Sequence, residues 1–167
     1  MIVVGVDPGT QATGYGVVAA RGGGAFSLLE CGVIRTASSA PLAQRVRVIY
    51  EGTCQILDRY QPHSISVERV FQGKNVHSAL TLGHARGVVL LAAALRDIGI
   101  AEYAPREIKK AVVGFGGAGK DQVAFMVQRM LRLKSPPTPS DAADGVAAAL
   151  CHHLCGGVTA LASGGAS

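Results

Sequence analysis

Tryptophan is absent from this 167-residue chain, and Phe and Tyr number four each, so the core has to be built from aliphatic side chains rather than aromatic ones. The four cysteines, Cys31, Cys54, Cys151 and Cys155, outline no framework spacing, and no disulfide is expected of them in a reducing compartment. No apolar run reaches the ~20 residues a membrane-spanning helix needs. The longest, Gly87 to Leu95, is closed off by Arg86 and Arg96 and reads as a buried helix segment. Met1 passes straight into strand-like residues with no basic leader and no cleavage site, so a cytoplasmic protein without a membrane anchor is expected. No internal repeat is visible. Charged residues make up only 16% against 49% hydrophobic, which describes an ordinary globular chain and excludes a disordered polyelectrolyte. Acids are the scarcer sign, 11 against 16 Lys and Arg, for a net charge of +5. If several of those acids gather in one site, the remaining surface is more basic still, and a phosphate backbone is its natural partner.

The elements follow from apolar spacing. Val3 to Val6, Gly14 to Val18 and Ser27 to Ile34 are strand-like runs separated by Asp7-Pro8-Gly9-Thr10 and Arg21-Gly22-Gly23-Gly24, which predicts an antiparallel meander. Leu42 to Tyr60 carries apolar residues at helical spacing between Pro41 and Pro62. A buried strand at Ser64 to Glu68, a polar loop through Gly73-Lys74-Asn75 and a long helix to about Ile98, stopped by Gly99, come next. Ile100 to Ala104 reads as a further strand, and Arg106 to Val113 and Asp121 to Leu133 as helices split by the glycine loop 114–119. In Thr138-Pro139-Ser140-Asp141, Thr138 is expected as N-cap, Pro139 as the first helical residue and Asp141 as the capping-box acid of a last helix. That pattern fades soon after Cys155, which gives one domain over 1–158 and a flexible tail over 159–167.

Two of the buried strands end in carboxylates, Asp7 and Glu68, and the last helix opens with Asp141 and Asp144 three residues apart. On a helix that spacing puts both side chains on one face about a turn apart. Each acid alone has an ordinary explanation. Asp7 can form a turn in Asp-Pro-Gly, Glu68 can pair with Arg69, and Asp141 can satisfy a helix N-terminus. Taken together, four acids that the fold can gather call for a cation, and hard oxygen ligands suit Mg²⁺ or Mn²⁺. A basic chain with such a site suggests metal-dependent cutting of nucleic acid.

The ordered motifs carry a resemblance. Gly5-Val6-Asp7-Pro8-Gly9-Thr10, Thr13-Gly14-Tyr15-Gly16-Val17 and Val67-Glu68-Arg69-Val70-Phe71 are followed by Lys74-Asn75 and Ser78-Ala79-Leu80. Leu82-Gly83, Ala85-Arg86-Gly87, Val112-Val113-Gly114 and Asp141-Ala142-Ala143-Asp144 complete the set. Over nearly its whole length the chain resembles the RuvC family of bacterial endonucleases that resolve Holliday junctions. The resemblance implies an α/β, ribonuclease H-like fold, with a mixed five-stranded sheet flanked by helices, and a homodimer. It places the catalytic, metal-binding acids on Asp7, Glu68, Asp141 and Asp144, a base-stacking aromatic on Phe71, and DNA-contacting lysines on Lys109 and Lys120. RuvA and RuvB are its implied partners, beside four-way junction DNA. Arg69, Gln72-Gly73 and Val76-His77 depart from the family pattern around the stacking loop, so the preferred cleavage sequence is not carried over.

The expected mechanism is two-metal hydrolysis with two Mg²⁺ per site, for which Mn²⁺ can substitute, giving paired symmetric nicks with 5′ phosphate and 3′ hydroxyl ends. Asp7 is expected to bridge the ions, with Glu68 favouring one and Asp141 and Asp144 the other. Arg69, Lys74, Arg86, Arg106, Lys109, Lys110 and Lys120 are the candidate DNA contacts, salt-sensitive and blind to sequence, and Phe71 is the candidate stacking residue. Gly114 to Lys120 has P-loop spacing, but Asp121 stands where the Mg²⁺-binding Ser or Thr belongs. Cys151-His152-His153-Leu154-Cys155 is better read as buried cysteines beside exposed histidines than as a zinc cluster. Sugar kinases share the Gly-x-Asp-x-Gly-Thr turn but need two such domains. A catalytically silent junction-binding scaffold would be expected to have lost an acid, and all four are present.

Overall fold

A computed structural model describes residues 1–69 and 76–162. Strands β1 (Ile2–Asp7), β2 (Ala12–Ala20) and β3 (Phe26–Arg35) form the expected antiparallel meander. Helix α1 (Leu42–Tyr60) leads to β4 (Ser64–Glu68), which pairs parallel to β1, and α2 (Val76–Ala94) leads to β5 (Gly99–Tyr103), parallel to β4. Helices α3 (Pro105–Val113), α4 (Lys120–Met130) and α5 (Ser140–Ala162) finish the chain. The sheet order β3-β2-β1-β4-β5 puts the longest-buried strands at the centre, and the architecture is ribonuclease H-like.

Alternation of side chains along the strands divides the core in two. Val4 and Val6 of β1 and Ile65 and Val67 of β4 join Ile49 and Leu57 of α1 and Val89 of α2 on one face. Val3 lies on the opposite face, among Val146 and Leu150 of α5, Ile108 and Val112 of α3, and Val123 and Val127 of α4. Every residue from Val146 to Cys151 is buried, so this middle stretch of α5 is enclosed all round rather than amphipathic. At ~1.5–3 kcal/mol for each buried aliphatic side chain, these two apolar layers supply the main drive to fold.

Small residues set how closely α5 lies on the sheet. A Cβ on Gly5 would stand 2.1 Å from the Gly145 carbonyl, one on Gly14 1.8 Å from the Asp141 carbonyl, and one on Gly145 2.5 Å from the Tyr15 backbone. Any other residue at these points would hold the helix off. Ser66 of β4 donates from Oγ to the Ala148 carbonyl at 2.7 Å, which fixes the helix along its axis.

Several boundaries differ from the sequence pattern. Helix α2 ends at Ala94, not near Ile98. Asp97 takes a left-handed conformation (φ 54°), and its N–H and that of Ile98 bond back to Ala94 and Ala93 in the manner of a Schellman stop, so Gly99 already belongs to β5. The end of α4 is likewise early, with Arg132 left-handed (φ 53°) and the Leu133 N–H bonded to the Gln128 carbonyl. Thr138-Pro139 is a cis peptide and α5 begins at Ser140, so Pro139 is not its first residue. Helix α5 also runs past Cys155 to Ala162. Helix α2 taken whole is long and apolar enough, by length and composition, to cross a membrane. Here Ala85, Val89, Ala92 and Ala93 are buried in the core beneath it.

Candidate active site

Strand period places the first two acids. Gly5 faces α5, so Asp7, two residues on, faces it as well; Ser66 bonds α5, so Glu68 does the same. The last paired residues of the two parallel strands are Val6 and Val67, which sets Asp7 and Glu68 side by side where the strands end. On the other side Asp7 pairs with Gly14, the residue against which Asp141 of α5 rests. One ligand oxygen from each of Asp7, Asp141 and Asp144 lies within 4.8 Å of the others. Glu68 shares a cleft of about 200 Å³ with Asp7, Asp144, Lys109 and Lys120, walled by Pro105, Ile108, Val123 and Ala147. The structure thus gathers all four predicted acids.

The crowding has an electrostatic signature. Burial, followed by the charges of Glu68 and Asp144, raises the Asp7 carboxyl to about 7, with Lys120 opposing. Glu68 is also raised, first by burial and then by Asp144. Lys120 donates from Nζ to Asp144 Oδ2 at 3.0 Å and is itself held above the usual lysine range by that partner. Three hard carboxylates converging within 4.8 Å, one of them resisting ionisation, fit a divalent cation: its charge would restore the anionic forms.

The predicted cations divide. Lys109 and Lys120 line the cleft, and Lys110 and Arg106 are exposed on α3. Arg69 is paired with Glu107, which also accepts the Ala104 N–H at 2.6 Å and so caps α3. Arg86 donates from both Nε and Nη2 to Glu102 Oε1, tying α2 to β5. Neither arginine is a free cation. The acidic partners Glu102 and Glu107 were missed by sequence reasoning; only Glu107, three residues after Ala104, carried a local signal as a helix-capping acid. Phe71 and Lys74 lie outside the described residues.

The competing motifs resolve on geometry. Gly114 to Gly119 joins two helices rather than a strand and a helix, so it is no P-loop. Cys151 and Cys155 do share a face, with sulfurs 4.0 Å apart. The histidines are not exposed, however: His153 is 8% exposed with Nε2 3.0 Å from the Val18 carbonyl, and His152 Nδ1 lies 2.9 Å from the Tyr103 hydroxyl. They follow Val146–Cys151, the stretch of α5 that is buried on every side, and their rings turn to the partners just named.

Comparison with known proteins agrees with this arrangement. The model of the family described as "Crossover junction endodeoxyribonuclease RuvC" matches residues 3–152. The chain is 47% identical over 152 residues to a crossover junction endodeoxyribonuclease RuvC of Pelotomaculum thermopropionicum, covering 91% of this chain and 92% of that one. Its identity to the RuvC of Protochlamydia amoebophila is 49%, over 91% and 90% of the two chains. The fold superposes on Thermus thermophilus RuvC, solved in complex with Holliday junction substrate, with a TM-score of 0.90, 36% identity and coverage of 95% and 96%. With sequence, fold and the placing of the acids in accord, the chain belongs to the RuvC family of crossover junction endodeoxyribonucleases.

Proposed function

We propose that the protein resolves four-way DNA junctions by paired symmetric hydrolysis of phosphodiester bonds, with Asp7, Glu68, Asp141 and Asp144 holding two Mg²⁺ ions that Mn²⁺ can replace. Metal dependence is general to the family. The convergence of Asp7, Asp141 and Asp144 oxygens within 4.8 Å carries the reading. When bound, the ions supply Lewis-acid charge and a water of lowered pKa, leaving 5′ phosphate and 3′ hydroxyl ends. Asp7, which shares the cleft with Glu68 and Asp144 and meets Asp141 and Asp144 within 4.8 Å, would hold metal together with all three. The residues of the chain do the rest. Lys109 and Lys120 meet the phosphate at the cleft, Lys110 and Arg106 extend the cationic track, and the walls of Ile108, Val123 and Ala147 limit water. Phe71 stacks on a base freed where strands exchange. Arg69 and Arg86 serve this surface through their ion pairs with Glu107 and Glu102.

Residues 1–158 act as one nuclease domain, two copies of which face the near two-fold symmetry of a junction. The outer side of α2 supports that dimer, because Val76, Leu80 and Leu91, with Leu95 just beyond it, are exposed and Gly83 and Gly87 between them open onto free space. The partners beyond DNA are RuvA and RuvB, and the place of action is the cytoplasm.

Asp7→Asn keeps the shape and removes the charge. Cleavage of a labelled mobile junction should fall by about 10²- to 10³-fold, on the scale of losing a principal electrostatic group, while junction binding is kept. A variant that nicks at the wild-type rate in Mg²⁺ would overturn the assignment. Linear duplex and EDTA controls should show no cutting.

A further inference from the structure

We propose that Phe115 is a second base-stacking contact for DNA, carried on the α3–α4 loop beside the carboxylate cleft. The loop 114–119 contains four glycines, and its only side chains beyond hydrogen are Phe115 and Ala118. Ala118 is buried and pins the loop to the core cluster under α3 and α4, whereas Phe115 is 49% exposed. Gly114 takes a positive φ of 100°, which turns the chain sharply out of α3 just before the aromatic ring. Gly116 packs on the Arg106 backbone, so the loop is seated beside the exposed Arg106 in the first turn of α3.

Its occupant is argued from position and charge. Lys109, six residues before Phe115, and Lys120, five after it, both line the cleft. Five residues span at most ~17 Å of extended chain, about five base-pair rises of 3.4 Å, so the Phe115 backbone lies within about five such rises of Lys120 in the cleft. A solvent-facing aromatic among cations is the arrangement that grips unpaired nucleic acid, charge holding the backbone and the ring holding a base. Phe125 is also exposed, but the Arg129 guanidinium stands over its ring at 5.9 Å. Among the described residues, no cation or second ring covers Phe115. This inference rests on the junction-resolving reading, which supplies the unpaired base.

The test uses the full chain in EDTA with four-way junctions carrying 2-aminopurine at successive positions within five nucleotides of the exchange point. Phe115→Ala and Phe115→Leu should each abolish the binding-induced emission change at one or more positions and weaken binding about 5- to 100-fold. Phe115→Tyr, which keeps the ring, should retain both. Because a phenyl ring displaces no counterions, the slope of log K against log salt should stay at its wild-type value, whereas Lys110→Gln should reduce it by about 0.9. An alanine variant with wild-type affinity and emission overturns the stacking role. So does a leucine variant that behaves as tyrosine, or an alanine variant whose salt slope falls, which would make the loop a mere holder of the lysines. Wild-type protein that fails to distinguish junction from linear duplex overturns the resolvase reading and this inference with it; a wild type that does distinguish them, beside Phe115 variants that bind and emit as it does, overturns this inference alone.

Discussion

Asp7 shows what a single residue gives and costs. Its carboxyl is raised from 3.8 to about 7, by burial first and neighbouring acids second. A folded pKa above the unfolded one means that the folded chain keeps a proton which the unfolded chain releases between pH ~4 and ~7. The stability this group contributes is therefore full below pH ~4 and is lost as pH rises through ~7, at a cost of at most about 4 kcal/mol. Metal-free Asp7→Asn should consequently melt above the wild type at pH 8, and the gap should shrink as the pH falls toward 4. Mg²⁺ should raise the wild-type melting temperature at pH 8 and raise that of the variant far less. Thermal melts at several pH values with EDTA or Mg²⁺ check this, and a variant that melts below the wild type at pH 8 in EDTA would refute the account of crowded charge. The identity of the acid was legible in Asp7-Pro8-Gly9-Thr10. Its raised pKa was not, because that depends first on how deeply the fold buries Asp7 and then on Glu68 and Asp144, which are remote in sequence.

At the scale of elements, the site is a matter of how near α5 comes to β1 and β2. The Asp-x-x-Asp spacing could be read as one helical face from sequence alone, and the strands ending in Asp7 and Glu68 were legible as apolar runs stopped by a charge. The distance between helix and sheet was not, since it is set by pairs of small residues that meet only in the fold. Gly14→Ala puts a methyl group 1.8 Å from the Asp141 carbonyl, so α5 must retreat and take both aspartates with it. The expected cost is at least ~1–3 kcal/mol of stability, as for other overpacked contacts, together with weaker Mn²⁺ binding measured by titration calorimetry. Gly22→Ala, where a Cβ meets nothing within 4 Å, should leave both unchanged. The missed helix ends belong to this scale too: Asp97 and Arg132 adopt left-handed conformations that local pattern assigns to glycine.

At the scale of the molecule, one surface stands apart from the catalytic one. Leu80 and Leu91, 61% and 50% exposed, lie on the same outer side of α2, a helix ~28 Å long at 1.5 Å per residue. Large exposed apolar side chains grouped this way are what an association site offers. If α2 carries the dimer proposed above, Leu80→Glu with Leu91→Glu should leave only monomer in sedimentation velocity where the wild type sediments as a dimer. With one site acting at a time, product mapping should show single nicks in place of paired ones. An unchanged dimer in the double variant would place the interface elsewhere.

Composition and order of motifs determined the chemistry of this protein by themselves. Scarce acids at strand ends and a helix start, an excess of basic residues and an aliphatic core specify a cation site, an anionic partner and an α/β framework, because those properties reside in residue type and local period. Only the tertiary structure decided which cations remain free and which are consumed in pairs, as with Arg69 and Arg86. It likewise decided that His153 is buried against the Val18 carbonyl and His152 held by the Tyr103 hydroxyl, and that Asp7, Asp141 and Asp144 meet within 4.8 Å. Those outcomes depend on distances between segments far apart in the chain, which packing fixes and local spacing does not encode.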